Sequence, residues 1–229
     1  MGLGNILVLS QVTTYFVSFI VAFVLFIPVA VNVNEFDGHC LLYAEGKWVS
    51  RINSSQMELE NVVWGPSSAC GFNIFMGVVV MLISMFYTVW ESAYLIKDTD
   101  SSWLDAFVTA ILSLVIFLML FASSLTLSVG FNIWCTLLTT PPSDILQCEF
   151  GDYIQFTDKS TQVDTRNFYT EMTLAQFGGW MLWICWLLLT IFAFLKVFRY
   201  HQQETFTTSM NRERQRLLQR VGHQTPVVL

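Results

Sequence analysis

Four cysteines carry the clearest chemistry in this sequence. Cys40, Cys70, Cys135 and Cys148 form an even set in polar stretches, and an even set of thiols in an oxidising compartment pairs. Three pairings are possible. Joining Cys40 to Cys70 and Cys135 to Cys148 closes each polar stretch within itself, at about 3 to 4 kcal/mol of chain-entropy stabilisation per bond. An inter-loop pattern with Cys70 bonded to Cys135 stays open. These are staples rather than redox groups, because an active pair wants C-x-x-C spacing and a lowered thiol pKa. The fifth cysteine, Cys185, sits in an apolar run and reads as a small packing residue. Asn53-Ser54-Ser55 is the chain's only N-x-S/T sequon, so Asn53 is the candidate glycosylation site.

Other reactive patterns are missing. The sequence contains no H-E-x-x-H, no G-x-S-x-G and no Walker-type loop, and its histidines, His39, His201 and His223, are scattered. The expectation is therefore a protein with no catalytic residues, no metal site and no cofactor. Asp105 lies three residues after Ser102, which is capping-box spacing, and reads as a helix cap rather than a functional carboxylate.

The elements that position the cysteines are apolar. Hydrophobic residues make up 54% of the 229-residue chain and charged residues 12%, a balance foreign to soluble domains of this size. Uncharged runs of about 20 residues suffice to cross a hydrocarbon core of about 30 Å. The runs predict helices over 6–31, 71–90, 103–131 and 174–198, with polar loops over 34–69 and 134–171 and a polar tail over 201–229. Pro28 should kink or finish the first helix. In the first loop, Glu45-Gly46 suggests a tight hairpin turn between 40–44 and 47–51, with a third strand near 57–64. Residues 91–102 form a short polar link, and 210–221 suggests a short basic amphipathic helix.

Charge orients the spans. The two long loops hold four basic residues against eleven acidic ones, and the remainder holds seven against six. The basic excess marks the cytosolic side, so both termini are expected in the cytoplasm and both loops outside or in a lumen. The four paired cysteines and Asn53 fall on that same outer side. Residues 1–200 are thus expected to form a four-pass transmembrane domain and 201–229 a cytoplasmic tail, in the plasma membrane or secretory pathway. The fold class is an all-α membrane protein, a four-transmembrane-helix bundle with a small disulfide-bonded, partly β extracellular or lumenal region.

Several stretches resemble the transmembrane protein 179 family. They are Phe36, Gly38, Cys40-Leu41-Leu42, Glu45-Gly46 and Trp48; Trp64-Gly65-Pro66 leading to Ala69-Cys70; Ser128-Val129-Gly130-Phe131 with Trp134-Cys135; Ala175-Gln176-Phe177-Gly178 with Trp180; and Ala193-Phe194-Leu195-Lys196-Val197. The resemblance runs from the first helix to about Arg199 and leaves the tail unmatched. It implies a four-pass integral membrane protein and brings no catalytic residues. A claudin-like tetraspan fits less well, since that pattern places both loop cysteines after the tryptophan, whereas here Cys40 precedes Trp48 and Trp64.

The spans themselves narrow the function. Apart from Asp105 and Lys196 at their ends, their apolar bodies hold no Asp, Glu, Lys, Arg or His, which argues against a pump or proton-coupled carrier. Small residues at four-residue spacing, Ala175 with Gly179 and Ser124 with Ser128, permit close helix packing. The expected function is a non-enzymatic membrane protein that binds another membrane protein, as an accessory subunit or adaptor would, with no nucleic-acid partner. The basic tail, with Arg212, Arg214, Arg216 and Arg220, offers a cytoplasmic contact. The alternative is a small oligomeric channel or transporter, with Gln11, Thr13, Thr14, Ser123, Ser124, Thr126 and Ser128 lining a path.

Overall fold

The computed structural model describes residues 3–50, 57–97, 103–140, 147–153, 165 and 167–222. Four helices among them are long and apolar enough to cross a membrane. These are α1 (Leu3–Glu35), α2 (Ser67–Lys97), α3 (Trp103–Thr139) and α4 (Phe168–Gly222). Between α1 and α2 lie strands β1 (Cys40–Ser50) and β2 (Met57–Gly65), and a 3-10 helix, Cys148–Tyr153, stands between α3 and α4.

The helices are longer than the uncharged runs because a helix continues past the hydrocarbon wherever its sequence allows. α3 extends to Thr139, so Cys135 is on a helix and not in a loop; the hydroxyls of Thr136 and Thr139 donate back to the carbonyls of Asn132 and Cys135. The helix expected over 210–221 is longer than that and continuous with the last span. α4 runs unbroken through the tail to Gly222, since 201–221 contains neither Pro nor Gly and is rich in Gln, Arg and Leu, which lose little freedom in a helix. The polar link at 91–102 is shorter than expected, because α2 continues to Lys97.

Pro28 does not end α1. The helix stops seven residues later in a Schellman cap: Asp37 takes the left-handed conformation with φ 50°, and the Gly38 amide donates to the Val33 carbonyl at 2.8 Å. Pro28 has no amide to offer the carbonyl of Val24. The backbone of α4 backs onto that carbonyl at Gly178, where a Cβ would lie 2.9 Å from the Leu25 nitrogen and 3.1 Å from the Val24 oxygen. The proline and the glycine therefore let α1 and α4 approach backbone to backbone.

In the bundle, α1 packs between α2 and α4, α4 packs between α1 and α3, and α2 touches α3 less. Gly77 of α2 sits against Phe26 of α1, and Gly179 of α4 against Ser124 of α3. One continuous core runs from Tyr15 and Trp186 to Phe36, Trp134 and Phe168 at the end that bears the strands.

The strand expectation is also corrected. β1 runs straight through Glu45-Gly46 and pairs antiparallel with β2 in a two-stranded sheet, with irregular register on both sides of Glu45. Glu45-Gly46 is a bulge rather than a turn, and the residue with positive φ is Tyr43, at 65°. Gly46 has another reason to be small, because a Cβ there would meet Leu59 at 3.3 Å. The hairpin lies on α3: the Trp48 indole donates to the Leu137 carbonyl at 2.9 Å, and Gly130 leaves room for Leu42 and Tyr43.

Gly178→Ala should destabilise the purified protein in detergent by about 1 to 3 kcal/mol, through overpacking against α1. Gly71→Ala, where a Cβ meets nothing within 4 Å, should be neutral or stabilising. Thermal unfolding of the two variants checks this, and equal midpoints would refute the backbone contact.

Candidate functional site

Two disulfides tie the strand-bearing end to the bundle. Cys40–Cys70 joins the start of β1 to the first turns of α2, with Cα atoms 5.8 Å apart, and Cys135–Cys148 joins α3 to the 3-10 helix at 5.1 Å. Each closes its loop within itself. Cys185 is free and buried in α4. Asn53 and its sequon lie outside the described residues, as do Ser102, the partner proposed for Asp105, and His223. Asp105 occupies the first turn of α3.

Above the disulfides the aromatics form a layered cluster. His39 stacks on Trp64 with ring centres 5.4 Å apart, Trp64 stacks on Trp134, and Phe36 and Phe168 meet these indoles edge-on. His39 is thus a packing surface for a tryptophan. No group of three or more His, Cys, Asp or Glu converges as a metal site among the described residues. Val63 on β2 and Phe150 on the 3-10 helix are 66% and 56% exposed, so this end presents apolar side chains outward from a stapled framework.

The bundle interior holds polar groups that hydropathy conceals. Glu91 of α2 is completely buried and receives Lys196 of α4, whose Nζ lies 3.1 Å from Oε1 and 3.4 Å from Oε2. The sequence places Glu91 in a solvated link; the structure corrects this, because a carboxylate can be taken from water when an ammonium neutralises it. Nothing local reveals the partner, which is 105 residues away.

Two turns deeper, Ser18 of α1 joins three helices. Its Oγ accepts from Ser84 of α2 at 3.1 Å and from the Trp186 indole of α4 at 2.9 Å. Between these levels Tyr15 stacks on Tyr87 at 5.2 Å and meets Trp186 edge-on at 5.9 Å. Closer to the disulfides, Asn73 donates to the Ala69 carbonyl at 2.8 Å and accepts from Ser123 of α3 at 2.6 Å.

The residues proposed for a channel do not converge. Gln11 is buried in the half remote from the disulfides; Thr13 is exposed, and both Thr13 and Thr14 bond back to the Ser10 carbonyl. Ser123 belongs to the Asn73 contact, Thr126 bonds to Ala122, Ser124 faces Gly179, and Ser128 accepts from the Trp180 indole at 3.1 Å. Ser124, Ser128 and Gly179 therefore serve the seam between α3 and α4, and Ala175 is buried in the core. The far end of α4 carries His201, Thr205, Arg212 and Glu213, all exposed.

A family model described as the Transmembrane protein 179/179B Claudin domain matches residues 7–218. The match covers much of the α4 extension, which the sequence resemblance left out. The contrast with claudin-like tetraspans is likewise corrected to one of cysteine placement, since the matching model is itself described as a claudin domain. No solved structure matches the chain.

Glu91→Leu and Lys196→Leu should each lower stability by about 3 kcal/mol by stranding a buried charge. The double variant should recover most of that loss. Unfolding midpoints of all four proteins form the cycle, and simple additivity would show that the pair is not coupled.

Proposed function

We propose, from the premise that this chain belongs to the transmembrane protein 179/179B claudin family, that it is a non-enzymatic accessory or adaptor protein which binds another membrane protein. The observation that carries this reading is the stapled end of the bundle. A two-stranded sheet is marginal alone; here it is anchored by Cys40–Cys70 and by Trp48 on α3, and it holds Val63 outward, while Phe150 is exposed on the disulfide-bonded 3-10 helix. Rigid apolar side chains on a fixed framework make good interface anchors, because little conformational freedom is lost when they are covered.

The membrane orientation belongs to the same proposal. The disulfide-bearing end faces the exterior or the lumen of the secretory pathway, and both termini face the cytosol. Disulfides persist in the oxidising compartment, and the basic side chains after Lys196 suit the cytosolic side. On that side the arginine-bearing extension of α4, exposed from His201 to Leu217 wherever its side chains are described, offers a second contact. An oligomeric channel is the weaker reading, because its seven candidate residues point to different seams of the bundle or to its surface.

Affinity capture in mild detergent should return a consistent membrane-protein partner. Val63→Asp with Phe150→Asp should lose that partner while leaving the unfolding free energy within about 1 kcal/mol of the parent, as surface changes ordinarily do. Recovery of the protein alone would count against the reading, and so would ion flux through liposomes that hold only this protein.

A further inference from the structure

We propose that the half of the bundle remote from the disulfides encloses a hydrated chamber, with water bridging Gln11 to hydroxyls of α3 beside the Glu91–Lys196 pair.

The chamber follows from the register of α1 against α2. Ser18 meets Ser84, and one turn on Tyr15 meets Tyr87. The next inward-facing positions are Gln11, four residues before Tyr15, and Glu91, four residues after Tyr87, so residue spacing on antiparallel helices puts them on one rung. Lys196 reaches that rung from α4. On α3, Ser113 lies beside the Tyr15 hydroxyl and Thr109 beside that of Tyr87. Four helices thus contribute polar side chains to one level of the bundle.

Gln11, Thr109 and Ser113 are 1%, 3% and 1% exposed; the two hydroxyls have tyrosine hydroxyls beside them, whereas neither end of the Gln11 amide completes a hydrogen bond to another protein group. A buried amide left in this state is costly, and lipid offers it nothing. Its two ends also select the ligand. The Gln11 nitrogen needs an acceptor and the oxygen needs a donor; a bare cation cannot satisfy the first, and a simple anion cannot satisfy the second. Water does both, and this site offers the two to four polar partners that a buried water needs.

X-ray radiolysis of the full chain in nanodiscs tests this, because radicals made from bound water oxidise the side chains it touches. Tyr15 and Trp134 are each 1% exposed, and Trp134 lies at the other end of the bundle. Tyr15 should be oxidised several-fold faster than Trp134, although tryptophan is intrinsically at least as reactive. Gln11→Leu should remove that excess, and Thr109→Val with Ser113→Ala should do so independently if the first variant fails to fold. Tyr15 oxidation no faster than that of Trp134, or an excess unchanged in the folded variants, would overturn the proposal.

Discussion

Backbone proximity between α1 and its two neighbours is the constraint on which the rest of the bundle depends. Lipid tails are as apolar as leucine, so burying an apolar side chain against another helix gains little over leaving it in the bilayer. What draws the helices together is close packing and the polar contacts that closeness permits. Gly77 admits Phe26 of α1, and Gly178 admits the α1 backbone beside the carbonyl that Pro28 leaves without a helical donor. Only at such separations can short side chains such as Ser18 and Ser84 meet across a seam. The glycines create the distance, and the hydroxyls and indoles make it specific.

The two ends of the molecule solve different problems. At the disulfide-bearing end the chain must order a small sheet, whose burial alone would leave it marginal. Covalent ties and a dense aromatic layer, with Phe36, Trp134 and Phe168 nearly inaccessible, hold it on the helices. At the other end no disulfide is present among the described residues, and the helices are fastened by charge and hydrogen bonds. α4 joins the two regimes as one helix of 55 residues.

Much of the architecture was legible because the membrane imposes a coarse rule. About twenty uncharged residues must be consecutive, and no competing pattern imitates that. Loop closure, too, could be reasoned from the cysteine positions. Contacts that depend on helical phase were not legible. Thr13 and Thr14 adjoin Gln11 within one turn, yet at 100° per residue they face different surroundings. Glu91 looked like a boundary because a charge in sequence normally marks water, and only the partner on another helix reverses that meaning. Glu45-Gly46 carried the composition of a turn, but Leu59 packing against Gly46 explains the small residue equally well, and sequence does not separate the two.

The polar residues are also ordered by what they cost. Formal charge is most expensive at the bilayer centre and becomes cheaper toward the headgroups. The deeper level is occupied by Ser18, Ser84 and the Trp186 indole, all neutral, and the Tyr15–Tyr87 stack comes next. Glu91 and Lys196 follow two turns beyond Ser84, roughly 10 Å along the axis at the usual helical rise. Lys196 there keeps 11% of its side chain accessible, and its long alkyl stem packs in the bundle while the ammonium reaches the carboxylate. A neutral centre and a charged end achieve helix specificity at every depth without placing an ion where its desolvation could not be offset.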